Sequence, residues 1–353
     1  MRNNKLFRIG VVALSIVLVA CAGGSSDEAG CPVIEDRKIN VVATTPMVGE
    51  FVSQVGGDNI NLTVIMPPEA DPHTYEPAPQ DAGTIADADL VFYTGLKYEP
   101  AAVIKLLENS ACSTEVLAEV GENVFPIEFK EGGHDDHGDH DDHDEEGHDD
   151  EEGHDDEEGH DDEEGHDDHD GHEGHGHGAF DPHFWFDPNR VAYATEYIES
   201  KLVEFDPNNA SSYETAGSAY TDELKGLTGQ VSDLISTVPS QNRKLITTHE
   251  SLGYLEAKFG LEVLSTIIPS LDSANEISPA QLVDVIDVIE DNNVKVIFIE
   301  AEAPSVYAET IVAETGIKAV EGLWVETLKE GQSYPDFLIS AVDLIVENLR
   351  NTD

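Results

Sequence analysis

From Arg37 onward, short runs of β-branched and aliphatic residues alternate with stretches in which apolar positions recur every three or four residues. The runs at 38–45 (KINVVATT), 61–66 (NLTVIM), 89–95 (DLVFYTG) and 122–127 (ENVFPI) predict four strands. Between them the pattern predicts helices over Pro46–Gly57, Gln80–Asp87 and Pro100–Glu108, the first closed by Gly56-Gly57. The second half repeats the logic, with strands expected at 244–248, 261–266, 294–300 and 318–324. Ser278 with Gln281 forms a capping box that opens a helix running to Asn293. Regular strand–helix alternation means parallel sheets covered by helices, so the fold class is α/β, with two Rossmann-like lobes.

A different element separates the halves. Tyr213, Ala216, Tyr220, Leu224, Leu227, Val231, Leu234 and Val238 recur at spacings of three and four, which is one face of a long helix from Ser211 to about Thr237. A core helix of one lobe would show the same spacing. Its length and its place between two α/β halves favour a helix that joins the lobes rigidly. The expected organisation is a first lobe over 37–207, a linking helix over 208–238 and a second lobe over 239–353.

The N-terminus carries an export pattern. Three positive charges in residues 1–8 precede a 12-residue apolar run at 9–20, too short to span a bilayer. Leu18-Val19-Ala20-Cys21 resembles a bacterial lipobox, which makes residues 1–20 the signal peptide and Cys21 the lipidated first residue of a tether over 21–36. The protein is then held outside the cytoplasmic membrane, in the periplasm or at the cell surface, touching the membrane only through its lipid. In that oxidising compartment the remaining cysteines, Cys31 and Cys112, are the candidates for a disulfide.

Charge changes the picture twice. With 18 Lys+Arg against 73 Asp+Glu the formal charge is −55, which excludes a phosphate-neutralising nucleic-acid binder. Residues 132–178 hold 24 of the acids and 12 of the 15 histidines, with Gly-His-Asp-Asp-Glu-Glu repeated from Gly147, Gly153 and Gly159. Such a segment cannot bury a core, so it reads as a disordered loop inserted into the first lobe. Its imidazoles are His134, His137, His140, His143, His148, His154, His160, His166, His169, His172, His175 and His177. Beside carboxylates they offer many weak sites for a divalent cation. Solubility needs only the acids, so the repeated histidine favours metal capture or buffering.

Three histidines lie elsewhere. His73 sits in Asp71-Pro72-His73-Thr74-Tyr75-Glu76-Pro77, beyond the second strand, and His183 in Asp181-Pro182-His183-Phe184-Trp185-Phe186-Asp187-Pro188. His249 directly follows the strand at 244–248 and precedes a helix. Ligands of open α/β sheets bind beyond the carboxyl ends of strands, and neutral imidazoles from separate loops can converge on one metal. Asp181 and Asp187 read as turn-formers before proline, with a role in orienting an imidazole left open.

With these residues the chain resembles the metal-binding substrate-binding proteins of ABC importers (cluster A-I), which capture zinc or manganese. The resemblance runs from about Lys38 to the C-terminus and rests on DPHTYEP, DPHFWFDPNR, the long helix, THESLGYLEAKFGL and IFIEAEAP. It implies two lobes joined by a rigid backbone helix, with the metal in the interlobe cleft. His73 and His183 would come from the first lobe and His249 from the second. The family's acidic fourth ligand lies in a segment like Leu-Tyr-x-Asp-x-Leu, which here reads Leu323-Trp324-Val325-Glu326-Thr327-Leu328. Glu326 replaces Asp, so either Glu326 or a water completes the shell. Manganese-type members carry a carboxylate where this chain has His249, and loops like 132–178 occur in zinc-type members.

Three nitrogens and one oxygen suit tetrahedral Zn²⁺ better than Mn²⁺, although Cu²⁺ has intrinsic affinity for the same set. The expected function is capture of Zn²⁺, as a monomer and not an enzyme, and delivery to a permease and its ATPase. The chain lacks GxxxxGK[ST] and cannot itself use ATP. The alternatives are a manganese- or iron-type binding protein, a zinc-dependent extracellular hydrolase with Glu250 as its base, or a surface metal buffer or adhesin. Neither HExxH nor G-x-S-x-G occurs, which weighs against the hydrolase.

Overall fold

Successive side chains of a strand point to opposite faces, and this period of two organises the molecule. The computed structural model describes residues 31, 37–129, 180–302 and 306–350. Strands β1 (Ile39–Ala43), β2 (Ile60–Val64), β3 (Leu90–Tyr93) and β4 (Leu117–Glu119) form one parallel sheet in the order β2-β1-β3-β4. Strands β5 (Lys244–His249), β6 (Glu262–Ile268), β7 (Val296–Glu300) and β8 (Lys318–Leu323) form a second parallel sheet in the order β6-β5-β7-β8. Each order reverses direction after its second strand, which leaves a switch point beside β1 and another beside β5.

The first lobe carries α1 (Pro46–Gly56), α2 (Pro79–Ala86), α3 (Ala101–Ser110) and α4 (Pro188–Phe205). After α5 (Ala210–Ser236), the second lobe carries α6 (Gly253–Phe259), α7 (Pro279–Asn292), α8 (Tyr307–Thr315) and α9 (Tyr334–Leu349). Val41, Ala43, Leu90, Phe92, Leu245, Val296 and Phe298 belong to one core that also takes in buried residues of α1, α4, α5 and α9. Their strand neighbours point the other way. Val42 and Val91 join Ile85, Val103 and Leu107 in a smaller core beneath α2 and α3. Ile246, Ile297 and Ile299 join Val285, Ile289 and Ile311 beneath α7 and α8. Both sheets therefore share their inner core and keep separate outer ones.

Helix α5 packs against α1, α4 and α9. Its buried face is Tyr213, Gly217, Tyr220, Leu224, Leu227, Val231 and Ile235. This corrects two positions in the sequence-based stripe, since Ala216 and Leu234 are only partly buried. Gly217 takes an inward place, with the end of the Glu199 side chain on α4 lying over its Cα.

The strand expected at 122–127 is also corrected. Residues Gly121–Val124 form a 3-10 turn, and Phe125 follows in the left-handed region with φ 54°. The guanidinium of Arg190 donates to the carbonyls of Val124 and Phe125, which holds the chain out of the sheet. The sheet's edge is instead β4, where Ala118 is the one fully buried side chain, so the hydrophobic signal was too weak to read. The same pattern reading assigned no helix to the stretches that fold as α4 and α9.

Glu128 pairs with Phe180 in an antiparallel bridge, and Asp181 N donates to Ile127 O at 3.0 Å, so the residues that flank the acidic insertion lie side by side. The signal peptide, Cys21, the tether apart from Cys31, and the insertion with its twelve histidines lie outside the described residues. Among the described helices none is long and apolar enough to cross a membrane.

A disulfide joins Cys31 to Cys112, 81 residues apart. Closing a loop of that length restricts the unfolded chain by about 4–5 kcal/mol in the chain-entropy model. Urea unfolding of Cys112→Ala should therefore show a loss of that order against the wild type, while the wild type in reductant should shift towards the variant.

Candidate metal centre

Both Asp-Pro-His motifs fold as the same local turn. Asp71 Oδ1 accepts from His73 N at 3.0 Å, and Asp181 Oδ1 accepts from His183 N at 2.8 Å. An aspartate that caps the backbone two residues on fixes the direction of the histidine that follows. After His183, the 3-10 turn Phe184–Phe186 buries Phe184, Trp185 and Phe186 completely. Asp187 then accepts from Asn189 N at 2.9 Å and opens α4. His249 is the last residue of β5, at the switch point of the second sheet. Glu326 lies three residues beyond β8.

The structure brings His73, His183, His249 and Glu326 together, with one donor atom of each within 4.8 Å of the others. Among the described residues no other such group of histidine, cysteine and acidic side chains occurs. Three Nε2 atoms face a single oxygen: Glu326 Oε1 lies 3.1 Å from His73, 3.3 Å from His183 and 2.7 Å from His249. His183, His249 and Glu326 are all at most 1% exposed. His249 Nε2 lacks hydrogen-bond alignment despite its short contact, and Glu326 Oε2 has no partner. Two orphaned polar atoms in a buried cluster mark a place where a cation is accommodated, because burying them without one is costly.

The far side of each ring completes the design. His183 Nδ1 lies 2.8 Å from Asp181 Oδ1, and His249 Nδ1 lies 2.5 Å from Glu300 Oε2. A carboxylate on Nδ1 holds the proton there and leaves the Nε2 lone pair for the metal. His73 differs, since Asp71 is occupied by Thr74 and the acid nearest its Nδ1 is the half-exposed Asp272, 3.9 Å away. Sequence reasoning missed Glu300. Its one signal was an acid ending an otherwise apolar strand, VIFIE, in which every residue is buried. Asp181, left between turn-former and orienting group, serves as both.

Without a cation the carboxylates favour the charged forms of two of the imidazoles. Burial disfavours the charged form of His183, but the Glu326 and Asp181 carboxylates outweigh it and raise its pKa to about 9. Burial likewise opposes charge on His249, yet Glu300 and Glu326 raise its pKa well above the ordinary value. For Glu326, burial pushes upward while His183, His73 and His249 hold the carboxyl well below its usual range.

This centre does not resemble a hydrolytic one. Glu250 accepts from Thr266 Oγ1 at 3.1 Å and lines a cavity of about 730 Å³ with Asp181, Glu256 and Asp284. It is not among the groups whose donor atoms cluster with the three imidazoles.

Over residues 41–348 the chain matches the family described as zinc-uptake complex component A, periplasmic. The chain belongs to this family, whose members are solute-binding proteins of ABC importers and not enzymes. It is 28% identical to the manganese ABC transporter substrate-binding lipoprotein PsaA of Streptococcus mitis, covering 98% of this chain and 99% of that one. Its fold is similar to that of the periplasmic zinc-binding protein TroA from Treponema pallidum, with TM-score 0.69 and 20% identity over 89% of this chain and all of that one. Fe(III)-bound YtgA from Chlamydia trachomatis is also similar, at TM-score 0.67 and 20% identity, covering 88% and 98% of the two chains. The protein is therefore a metal-binding component of an ABC importer, and the hydrolase and adhesin readings gain no support.

The raised imidazole pKa values have a consequence for metal binding. At pH 7 the metal-free cluster holds protons on His183 and His249 that a cation on Nε2 must expel. Titration calorimetry in buffers of different ionisation enthalpy should report release of roughly two protons per cleft cation. The sign for the metal-free fold is opposite. A folded value of about 9 for His183, above its unfolded 6.5, stabilises the fold fully below pH 6.5 and loses that contribution as pH rises through about 9.

Proposed function

We propose that this protein captures Zn²⁺ outside the cytoplasmic membrane and passes it to an ABC permease driven by its ATPase. The observation that carries this reading is the convergence of three Nε2 atoms on one buried carboxylate oxygen. His73, His183 and His249 are the nitrogen ligands and Glu326 supplies the fourth donor. A shell of three imidazoles and one carboxylate matches the four-coordinate preference of zinc, whereas manganese favours oxygen-rich shells of higher coordination. The relatives bear names of manganese, zinc and iron proteins. The nitrogen majority in this chain is what turns the choice to zinc.

The acidic insertion acts as a capture device beside the cleft. It is flanked by the Glu128–Phe180 bridge, three residues before His183 in the chain. Its twelve histidines bind cations weakly and reversibly, which raises their local concentration near the tight site. Lipidation of Cys21 tethers the protein to the membrane that holds its permease.

The two classes of site can be separated. Because the residues that flank the insertion lie side by side, residues 132–178 can be removed with little strain on the remaining fold. The deleted protein should keep one tight zinc per molecule, and His73→Ala or His249→Ala in that background should abolish it. Preorganised ligands lose little entropy on binding, so cleft affinity should far exceed that of the loop. Calorimetric competition against a chelator reads this directly. Loss of the tight site on deletion, with the point variants of the intact chain retaining it, would make the loop the receptor.

A further inference from the structure

The segment that carries Glu326 is held from two sides. Its carbonyls accept from the first lobe: Tyr98 Oη donates to Glu326 O at 2.9 Å, Trp185 Nε1 to Val325 O at 2.8 Å, and Glu69 N to Leu328 O at 3.3 Å. Three of its amides turn to one residue of the second lobe. Glu302 Oε1 accepts from the N–H groups of Val325 at 3.1 Å, Glu326 at 3.0 Å and Thr327 at 3.3 Å, while Oε2 reaches only Val325 N, at 3.4 Å. Three consecutive amides aimed at a single carboxyl oxygen form a nest of the kind that backbone offers to anions. Glu302, two residues beyond the end of β7, fills that nest with a side chain. It is not one of the four groups whose donor atoms cluster.

We infer that Glu302 is the positioning residue for the fourth metal ligand. The inference rests on Glu326 being a ligand, as proposed above. The Glu326 carboxylate is carried on three side-chain torsions, so any shift of the backbone it springs from adds to the freedom of the side chain itself. A metal site needs its donors held within about 0.5 Å of the productive geometry. Tyr98, Trp185 and Glu69 fix the carbonyls of the segment, and Glu302 fixes its amides. Together they set the point from which the Glu326 carboxylate meets the three imidazoles. Without Glu302 the three amides have no acceptor, and the segment shifts to find water.

The test uses the full-length protein and three substitutions, Glu302→Ala, Glu302→Gln and Glu302→Asp, with Glu326→Ala as the control. Zinc affinity is measured by chelator competition. Co²⁺, added at less than one equivalent so that the insertion's imidazoles stay empty, reports coordination through its visible absorption, which is strong when tetrahedral and weak when six-coordinate. Glu302→Ala should weaken zinc binding about 10- to 100-fold, the usual effect of removing a group that orients a ligand, and should reduce the cobalt bands. Glu302→Gln keeps the oxygen that accepts all three amides, so it should stay close to wild type in both readouts. Glu302→Asp keeps the charge but is one methylene short, and should fall with the alanine variant. If alanine prevents folding, the Gln and Asp pair decides.

A merely structural role would lower thermal stability and leave the cobalt spectrum of the folded fraction unchanged, which would overturn the inference. Equal damage from Gln and Ala would overturn it as well, because charge rather than placement would then matter. If Glu326→Ala leaves affinity and spectrum unaltered, the ligand assignment itself fails, a result distinct from either of these.

Discussion

One carboxylate buried among three imidazoles is the constraint around which the rest of the structure is arranged. An isolated anion as deeply buried as Glu326 would cost several kcal/mol, and its neighbours must compensate. In the metal-free protein, protonated imidazoles do so; with metal bound, a divalent cation does. Either way the cluster holds together only if residues far apart in sequence meet at one point. His73 and His183 come from the first lobe, His249 from the end of β5, and Glu326 from beyond β8. Carboxylates behind two of the rings, Asp181 and Glu300, then choose which nitrogen faces inward.

The fold supplies that meeting point through its shared inner core. Alternate strand residues from both sheets pack against α1, α4, α5 and α9, and His249 at the end of β5 meets Glu326 from beyond β8 and His73 from beyond β2 in one cluster. Aromatic side chains then knit the lobes around the cluster. Tyr98 and Trp185 donate to the backbone that carries Glu326, Tyr254 donates to Asp181 O at 2.8 Å, and Tyr334 donates to Trp185 O at 2.7 Å. Three of these four contacts end on Glu326, on its neighbour Val325, or on Asp181 behind His183. Lobe arrangement and ligand geometry are thus one problem with one solution.

How legible this was in the sequence depended on the kind of signal. Strands β1, β3 and β7 were readable because buried strands leave nearly unbroken aliphatic runs. β4 was not, since Leu117-Ala118-Glu119 buries one small side chain, and the more hydrophobic 122–127 attracted the assignment instead. The long helix was found, but its phase drifted by one residue at Gly217, because a glycine carries no hydrophobic mark, and at Ile235, because Leu234 beside it is equally apolar. His73, His183 and His249 stood out through their isolation from the histidine-rich insertion and their strand-exit places. Glu300 and Glu302 did not: in a chain with 73 acids an individual carboxylate is anonymous until the structure shows what it accepts from. Glu326 was accessible only through resemblance to a family segment.

The central claim is that three imidazoles and one carboxylate close on a single zinc ion. X-ray absorption at the zinc edge, on protein lacking residues 132–178 and loaded with one equivalent of zinc, tests it most directly. The account predicts about four nitrogen or oxygen neighbours near 2.0–2.1 Å, the outer-shell scattering of three imidazole rings, and no sulfur. A six-oxygen shell, or scattering from fewer than three rings, would contradict it.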